Sequence, residues 1–196
     1  MRNLETQPHA LVIGGVGIDR YEKLKRKGPW RIQNPEHVHP EVVLELGGKG
    51  PAKSIGEFKG GNGANTASGL ARAGERVSHY THLGKDSATY FIKEKIREEG
   101  ITLYADEDKN GTNDHSTVLL FEAEGISDRF IASSKGDMKR DFDSNRIQET
   151  PDYIYLTAIG GEPQDWARIY GKVMDYAREE DIPVAISPGS AQLHNK

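Results

Sequence analysis

Residues 60–74 read GGNGANTASGLARAG. Glycines stand at positions 60, 61 and 63, asparagines at 62 and 65, and mostly small residues lead on to Gly74. Glycines in such a run permit positive φ and let another group approach the main chain closely. If a helix begins near Gly63, its unpaired N–H groups and the positive end of its dipole face one small space. Asn62 and Asn65 add side-chain donors and acceptors that can match hydroxyl groups in both directions. Ala64, Thr66, Ala67 and Ser68 are small enough to let that helix lie tight on a sheet. The spacing is equally compatible with a glycine-rich turn that leads into a packed helix capped by an asparagine. The two readings are a site for a small polyol and a piece of packing.

Strand and helix signals alternate on both sides of this stretch. Residues 10–16, ALVIGGV, are a short apolar run closed by glycines, which suits a buried parallel strand. Residues 20–40 are basic and proline-rich and read as an irregular excursion. EVVLEL at 41–46 and a short segment near 54–58 read as two strands of a hairpin-like flap. After the opening stretch, Gly74 is a plausible helix C-cap and RVSHYTH at 76–82 a strand. Asp86 is placed to cap a helix that ends at Gly100. STVLLFE at 116–122 and RFIA at 129–132 flank a turn as a pair of strands. YIYLTAI at 153–159 is another buried strand, and Trp166, Ile169, Tyr170, Val173, Met174 and Ala177 recur at helical spacing as a core stripe. IPVAIS at 182–187 closes the series. Alternation of this kind predicts an α/β fold with a parallel sheet and right-handed crossovers.

The totals exclude several classes of function. A chain of 196 residues with 35% hydrophobic and 29% charged residues fits one domain with a modest core. A net charge of -4 gives no overall attraction to nucleic acid or to anionic membranes. With no cysteine there is no disulfide scaffold, no Cys-ligated zinc and no thiol catalysis. No apolar run approaches the roughly 18 residues of a membrane span, and the N-terminus is too polar for a signal peptide, so a cytoplasmic protein is expected. His37 and His39 are the one close histidine pair, and they read as solvated loop residues rather than metal ligands.

Two nucleotide motifs fail on inspection. VIGGVGID at 12–19 begins like a dinucleotide fingerprint, but Arg20 stands where its third glycine belongs. GGKGPAKS at 47–54 has the letters of a phosphate loop in the wrong order. What remains is Asp19, an acid expected just beyond the first strand, where open α/β sheets bind ligands; by itself it reads first as a turn residue.

The opening stretch, followed by nine residues and Gly84 ahead of Asp86, resembles the first signature of the ribokinase-like (PfkB) carbohydrate kinase family. LGKDSATYFIKEKIREEGI, STVLLFEAEGISDRFI and ISPGSAQL follow in the order that family shows, so the resemblance covers nearly the whole chain. It implies a ribokinase-like sheet flanked by helices with a small β-lid. It also implies a single kinase domain over residues 1–196, with the lid segment inserted at 41–58. Members move a phosphoryl group from ATP, with Mg²⁺, to a hydroxymethyl group of a sugar, sugar phosphate or nucleoside. Carried onto this sequence, Asp19, Gly61, Asn62 and Asn65 would bind substrate hydroxyls. A homodimer through the lid is a further implication, with no nucleic-acid or membrane partner.

The sequence departs from the family in one large respect. The second signature, running into Gly-Ala-Gly-Asp, is absent, as is the Asn-x-x-Glu segment tied to Mg²⁺. Those segments carry the base and the anion hole on which phosphoryl transfer depends, so no catalytic residue is expected within these residues. The expectation is therefore the N-terminal, substrate-side portion of such a kinase, inactive alone. The alternative is a non-catalytic sugar-binding or assembly module derived from one. Ser187 is a smaller departure, since many relatives carry Asp or Asn before the Pro-Gly.

Overall fold

The computed structural model describes residues 7–25, 28–34, 36–37, 41–123 and 125–194. In chain order the elements begin with β1 (His9–Ile13), β2 (Gly17–Leu24), β3 (Trp30–Gln33), β4 (Glu41–Leu44), β5 (Ala52–Gly60), α1 (Asn62–Ala73), β6 (Arg76–Leu83) and α2 (Ser87–Glu98). They continue with β7 (Thr102–Glu107), β8 (Asp114–Ala123), β9 (Ile126–Ser134), β10 (Tyr153–Thr157), α3 (Pro163–Glu179), β11 (Val184–Ser187) and α4 (Ser190–His194). The chain divides into two compact units. The first comprises Met1–Ile18, Lys59–Asp114 and Lys135–Lys196, and the second Asp19–Phe58 and His115–Ser134.

The first unit is built on a five-stranded parallel sheet of order β11-β10-β1-β6-β7. Every residue of β1 is buried, because both faces of the sheet are covered. Leu11 and Ile13 point to one face, where Ile169, Val173 and Ala177 of α3 pack on them. Ala10 and Val12 point to the other, against Ala64 and Ala67 of α1 and Ile92 and Ile96 of α2. Full burial of side chains of this size stabilises by about 1.5–3 kcal/mol each, so β1 is the spine of the unit.

Helix ends follow the local signals. Gly74 takes the left-handed conformation, its N–H donates to Ala71 O, and Glu75 N–H donates to Leu70 O, a Schellman close. Asp86 Oδ1 accepts from Ala88 N–H at 2.9 Å, capping α2 as expected. Gly100, at φ 71°, closes it.

The expected parallel α/β sheet is present, with two additions. β7 lies in TLYADE, a stretch too polar to read as a strand, because it forms the sheet's edge. The five-residue helix α4 follows β11.

The second unit holds a four-stranded sheet of order β5-β2-β8-β9 and the two-stranded β3–β4 pair. β8 and β9 pair antiparallel, with Leu119 opposite Phe130, as the sequence suggested. The expected hairpin of 41–46 with 54–58 does not form. β4 pairs antiparallel with β3, from Trp30 opposite Leu44 to Gln33 opposite Glu41, so part of the supposed irregular excursion is strand. β5 instead lies next to β2 in the larger sheet. Aromatic packing favours this partition. Trp30 meets Phe121 edge-on at 5.2 Å, and Tyr21 of β2 meets Phe58 of β5 at 5.5 Å. Arg20 of β2 is also ion-paired with Glu57 of β5.

Candidate functional site

The order of the parallel sheet marks one place as a crevice. From β1 the chain passes through α1 to β6 on one side, and from β10 through α3 to β11 on the other. Strand order therefore reverses between β1 and β10, and ligands of open α/β sheets bind outside the carboxyl ends at such a point. Two loops rich in small residues lie there, Gly14–Val16 after β1 and Ala158–Gly161 after β10.

These loops and the start of α1 are joined main chain to main chain. Gly15 N–H donates to Ala158 O at 3.0 Å, and Gly14 N–H donates to Tyr80 O at 3.2 Å. Gly63 and Ala64 N–H both donate to Gly15 O, at 3.0 and 3.3 Å. A Cβ on Gly63 would lie 2.5 Å from the carbonyl carbon of Gly14, so only glycine fits. Gly61, at φ 95°, would also drive a Cβ to 2.6 Å from Gly15 O. This corrects one expectation. Two of the N–H groups at the start of α1 are satisfied by Gly15 and do not face a ligand, because the helix docks on the loop after β1.

The side chains nearby remain open. Asn62 and Asn65 are exposed, and among the described residues neither side chain has a hydrogen-bond partner. No side chain caps α1. Gly61, Asn62 and Asn65 are thus brought together within one turn of α1 in the first unit. Asp19 belongs to the second unit. It is the half-buried third residue of β2 and does not sit at the end of β1, since glycines end that strand at Ile13.

Beneath the loop after β1 lies a residue that the sequence reading passed over. His79 of β6 is fully buried, and its Nε2 donates to Gly14 O at 3.2 Å. Burial pushes its pKa down to about 4; the bond to Gly14 opposes the shift and the Lys59 ammonium adds to it. The ring is neutral near pH 7 and holds the carbonyl at the mouth of the crevice.

The loop after β10 has its own buttress. Arg140, with 7% of its side chain exposed, donates from Nη2 to Asp114 Oδ1 at 2.9 Å, and Gly136 N–H donates to the same oxygen at 2.7 Å. A Cβ on Gly160 would lie 3.0 Å from Asp114 Oδ2 and 3.1 Å from Arg140 Nε. Nothing local flagged this pair, whose members are 26 residues apart.

Among the described residues no three His, Asp or Glu side chains are grouped to hold a metal ion. His37 is exposed, and His39 lies outside the described residues. No helix among the described residues is long and apolar enough to cross a membrane.

Solved structures share this architecture. A ribokinase from Arabidopsis thaliana, complexed with ribose and ATP, superposes with a TM-score of 0.68 at 18% identity, covering 92% of this chain and 53% of that one. A ribokinase from Giardia lamblia gives 0.65 at 13% identity, covering 97% and 53%. A fructokinase from Xylella fastidiosa gives 0.63 at 18%, covering 92% and 52%. The likeness is one of fold, and the chain spans about half the length of these structures. No curated protein matches the sequence. Residues 37–195 match the family described as pfkB family carbohydrate kinase. With the glycine turn, the doubly covered sheet and that match together, the chain belongs to the pfkB family of carbohydrate kinases.

Proposed function

We propose that this chain supplies the acceptor-binding portion of a phosphotransferase acting on a hydroxymethyl group of a sugar, sugar phosphate or nucleoside. One observation carries the reading: Asn62 and Asn65 present unpartnered amides beside the switch point of the sheet. Each amide offers two donors and an acceptor, which suits vicinal hydroxyls. Asp19 accepts from a further hydroxyl, and the main chain at Gly61 offers another contact, the place of its missing side chain being taken by Gly15 and Val16. The segment 41–58 acts as part of a lid and as a surface for a second copy. The family membership and the ribose complex of a structural relative support the same class of ligand.

In this reading ATP is the phosphoryl donor and Mg²⁺ neutralises its charge. The described residues hold no grouping that fits the metal, so no step through it is assigned to them. The work of these residues is to bind and orient the acceptor.

The test is calorimetric titration of the chain with D-ribose, D-fructose, their phosphates and adenosine, alongside N65A and Asp19→Ala. Saturable binding of at least one compound is expected, weakened by about 1–3 kcal/mol in each variant because polar groups lose their partners. Unchanged affinity in both variants, or no binding across the panel, would overturn the reading.

A further inference from the structure

The glycine turn follows directly on a lysine that is not at the surface. Lys59, in β5, has 7% of its side chain exposed, and its ammonium meets three oxygens. It donates to Ser68 Oγ at 2.5 Å and to the main-chain carbonyl of Ala64 at 3.3 Å, and lies 3.1 Å from Glu99 Oε2. Taking an ammonium out of water is unfavourable unless opposite charge and acceptors replace the lost hydration. Here three acceptors match its three protons.

Glu99 is oddly placed on its own terms. It is the C-cap of α2, at the negative end of the helix dipole, where a carboxylate is disfavoured. Lys59 and Arg72, whose Nη2 donates to Glu99 Oε1 at 2.9 Å, offset that. Ser68 Oγ lies 2.5 Å from Glu99 Oε2 and 2.7 Å from Ala64 O, with its one proton serving one of them.

The contacts close a ring. The chain leaves Lys59, turns through Gly60–Asn62, enters α1 and returns at Ala64 to the Lys59 ammonium. Gly61 and Asn62 lie inside this ring, and Asn65 is the next residue along. Glycines leave such a turn conformationally free, so its order must come from outside. The Gly15 carbonyl holds it from the loop after β1, and Lys59 ties it to the end of α2.

We propose that Lys59, fixed by Glu99, is a positioning residue for the polyol site, holding the turn so that Asn62 and Asn65 stand in one arrangement. This rests on the reading of those amides as ligand groups, yet the order of the turn is measurable without a ligand.

Hydrogen exchange followed by mass spectrometry on the 196-residue chain, with D-ribose titration, tests it in K59M, E99Q and N65A. K59M keeps the apolar stem and leaves Glu99 bonded to Arg72 and Ser68. Peptides over 60–66 should exchange about tenfold faster in K59M while those of β6 keep wild-type rates. D-ribose binding should weaken about tenfold as well. E99Q should shift both in the same direction by less. N65A should lower D-ribose affinity with turn exchange unchanged. Wild-type exchange over 60–66 in K59M would overturn the proposal, as would acceleration spread equally into β6, which marks a merely structural residue. If K59M loosens the turn but N65A binds D-ribose like the wild type, the clamp stands and the ligand reading falls.

Discussion

Gly14 and Gly63 meet main chain to main chain: a Cβ on Gly14 would come within 2.9 Å of the Gly63 Cα, and one on Gly63 within 2.8 Å of the Gly14 Cα. That contact docks the start of α1 on the end of β1. It converts a run of glycines, which could have been a flexible loop, into close main-chain packing at the first unit's crevice.

Gly63→Ala should therefore destabilise the fold by about 3 kcal/mol, since the obstructing atoms are backbone and cannot swing aside. Gly69→Ala is the matched control. It lies in the same helix with nothing within 4 Å of its Cβ position, and should stabilise by about 0.5–1 kcal/mol. Urea denaturation of both variants measures the contrast, and equal effects would remove the docking contact from consideration.

His79 should make the fold acid-sensitive. Burial pushes its pKa down to about 4 in the folded protein, below the ordinary 6.5 of an imidazole, so the unfolded chain binds the proton more readily. Stability is then full above about pH 6.5 and falls as pH drops from there toward 4, by about 3 kcal/mol in all. His9 and His82, also lowered by burial first, add to the trend in the same direction. Denaturant titrations from pH 7 to 4.5 should show a shallower decline in His79→Gln than in the wild type. Parallel declines would mean that other groups control it.

Asp86 does two tasks, and its removal should reflect both. Besides capping α2, its Oδ2 accepts from Asn113 N–H at 2.8 Å and its Oδ1 from Asn113 Nδ2 at 2.6 Å. Asn113 is 2% exposed, so Asp86→Ala strands buried donors as well as the helix end. A loss of about 2–3 kcal/mol is expected, read by thermal or chemical unfolding. A loss confined to a few tenths would show that water replaces the carboxylate.

The Arg140–Asp114 pair should behave as a buried one. Arg140→Met removes the guanidinium and leaves a carboxylate with 16% exposure facing Gly160, at a cost of about 3 kcal/mol. Pairing it with Asp114→Leu should recover much of that loss, because neither charge is then stranded. A double variant no better than the single one would show that the Asp114–Gly136 bond, not the ion pair, holds the loop after β10.

Much of this architecture was legible before any coordinates. Helix ends could be read because capping is local: Gly74, Asp86 and Gly100 act within a turn of their own positions. β1 and β10 could be read because a strand buried on both faces tends to be apolar along its length, and β6 from the alternation of RVSHYTH, although its buried positions include His79 and His82. The glycine and asparagine pattern at 60–74 marked both the turn and its exposed amides.

Other features depend on partners distant in sequence. β4 pairs with β3 rather than with the segment near 54–58, because strand pairing is decided by which faces pack together and not by nearness in sequence. TLYADE becomes β7 only because β6 offers it an edge. The N–H groups of Gly63 and Ala64 are spent on Gly15, some 48 residues away in sequence, which no local pattern announces. Lys59 and His79 look like ordinary polar residues until burial supplies Glu99 to one and the Gly14 carbonyl to the other. Local chemistry determined the elements and the turn; desolvation and long-range contact decided which of their polar groups are left to meet a ligand.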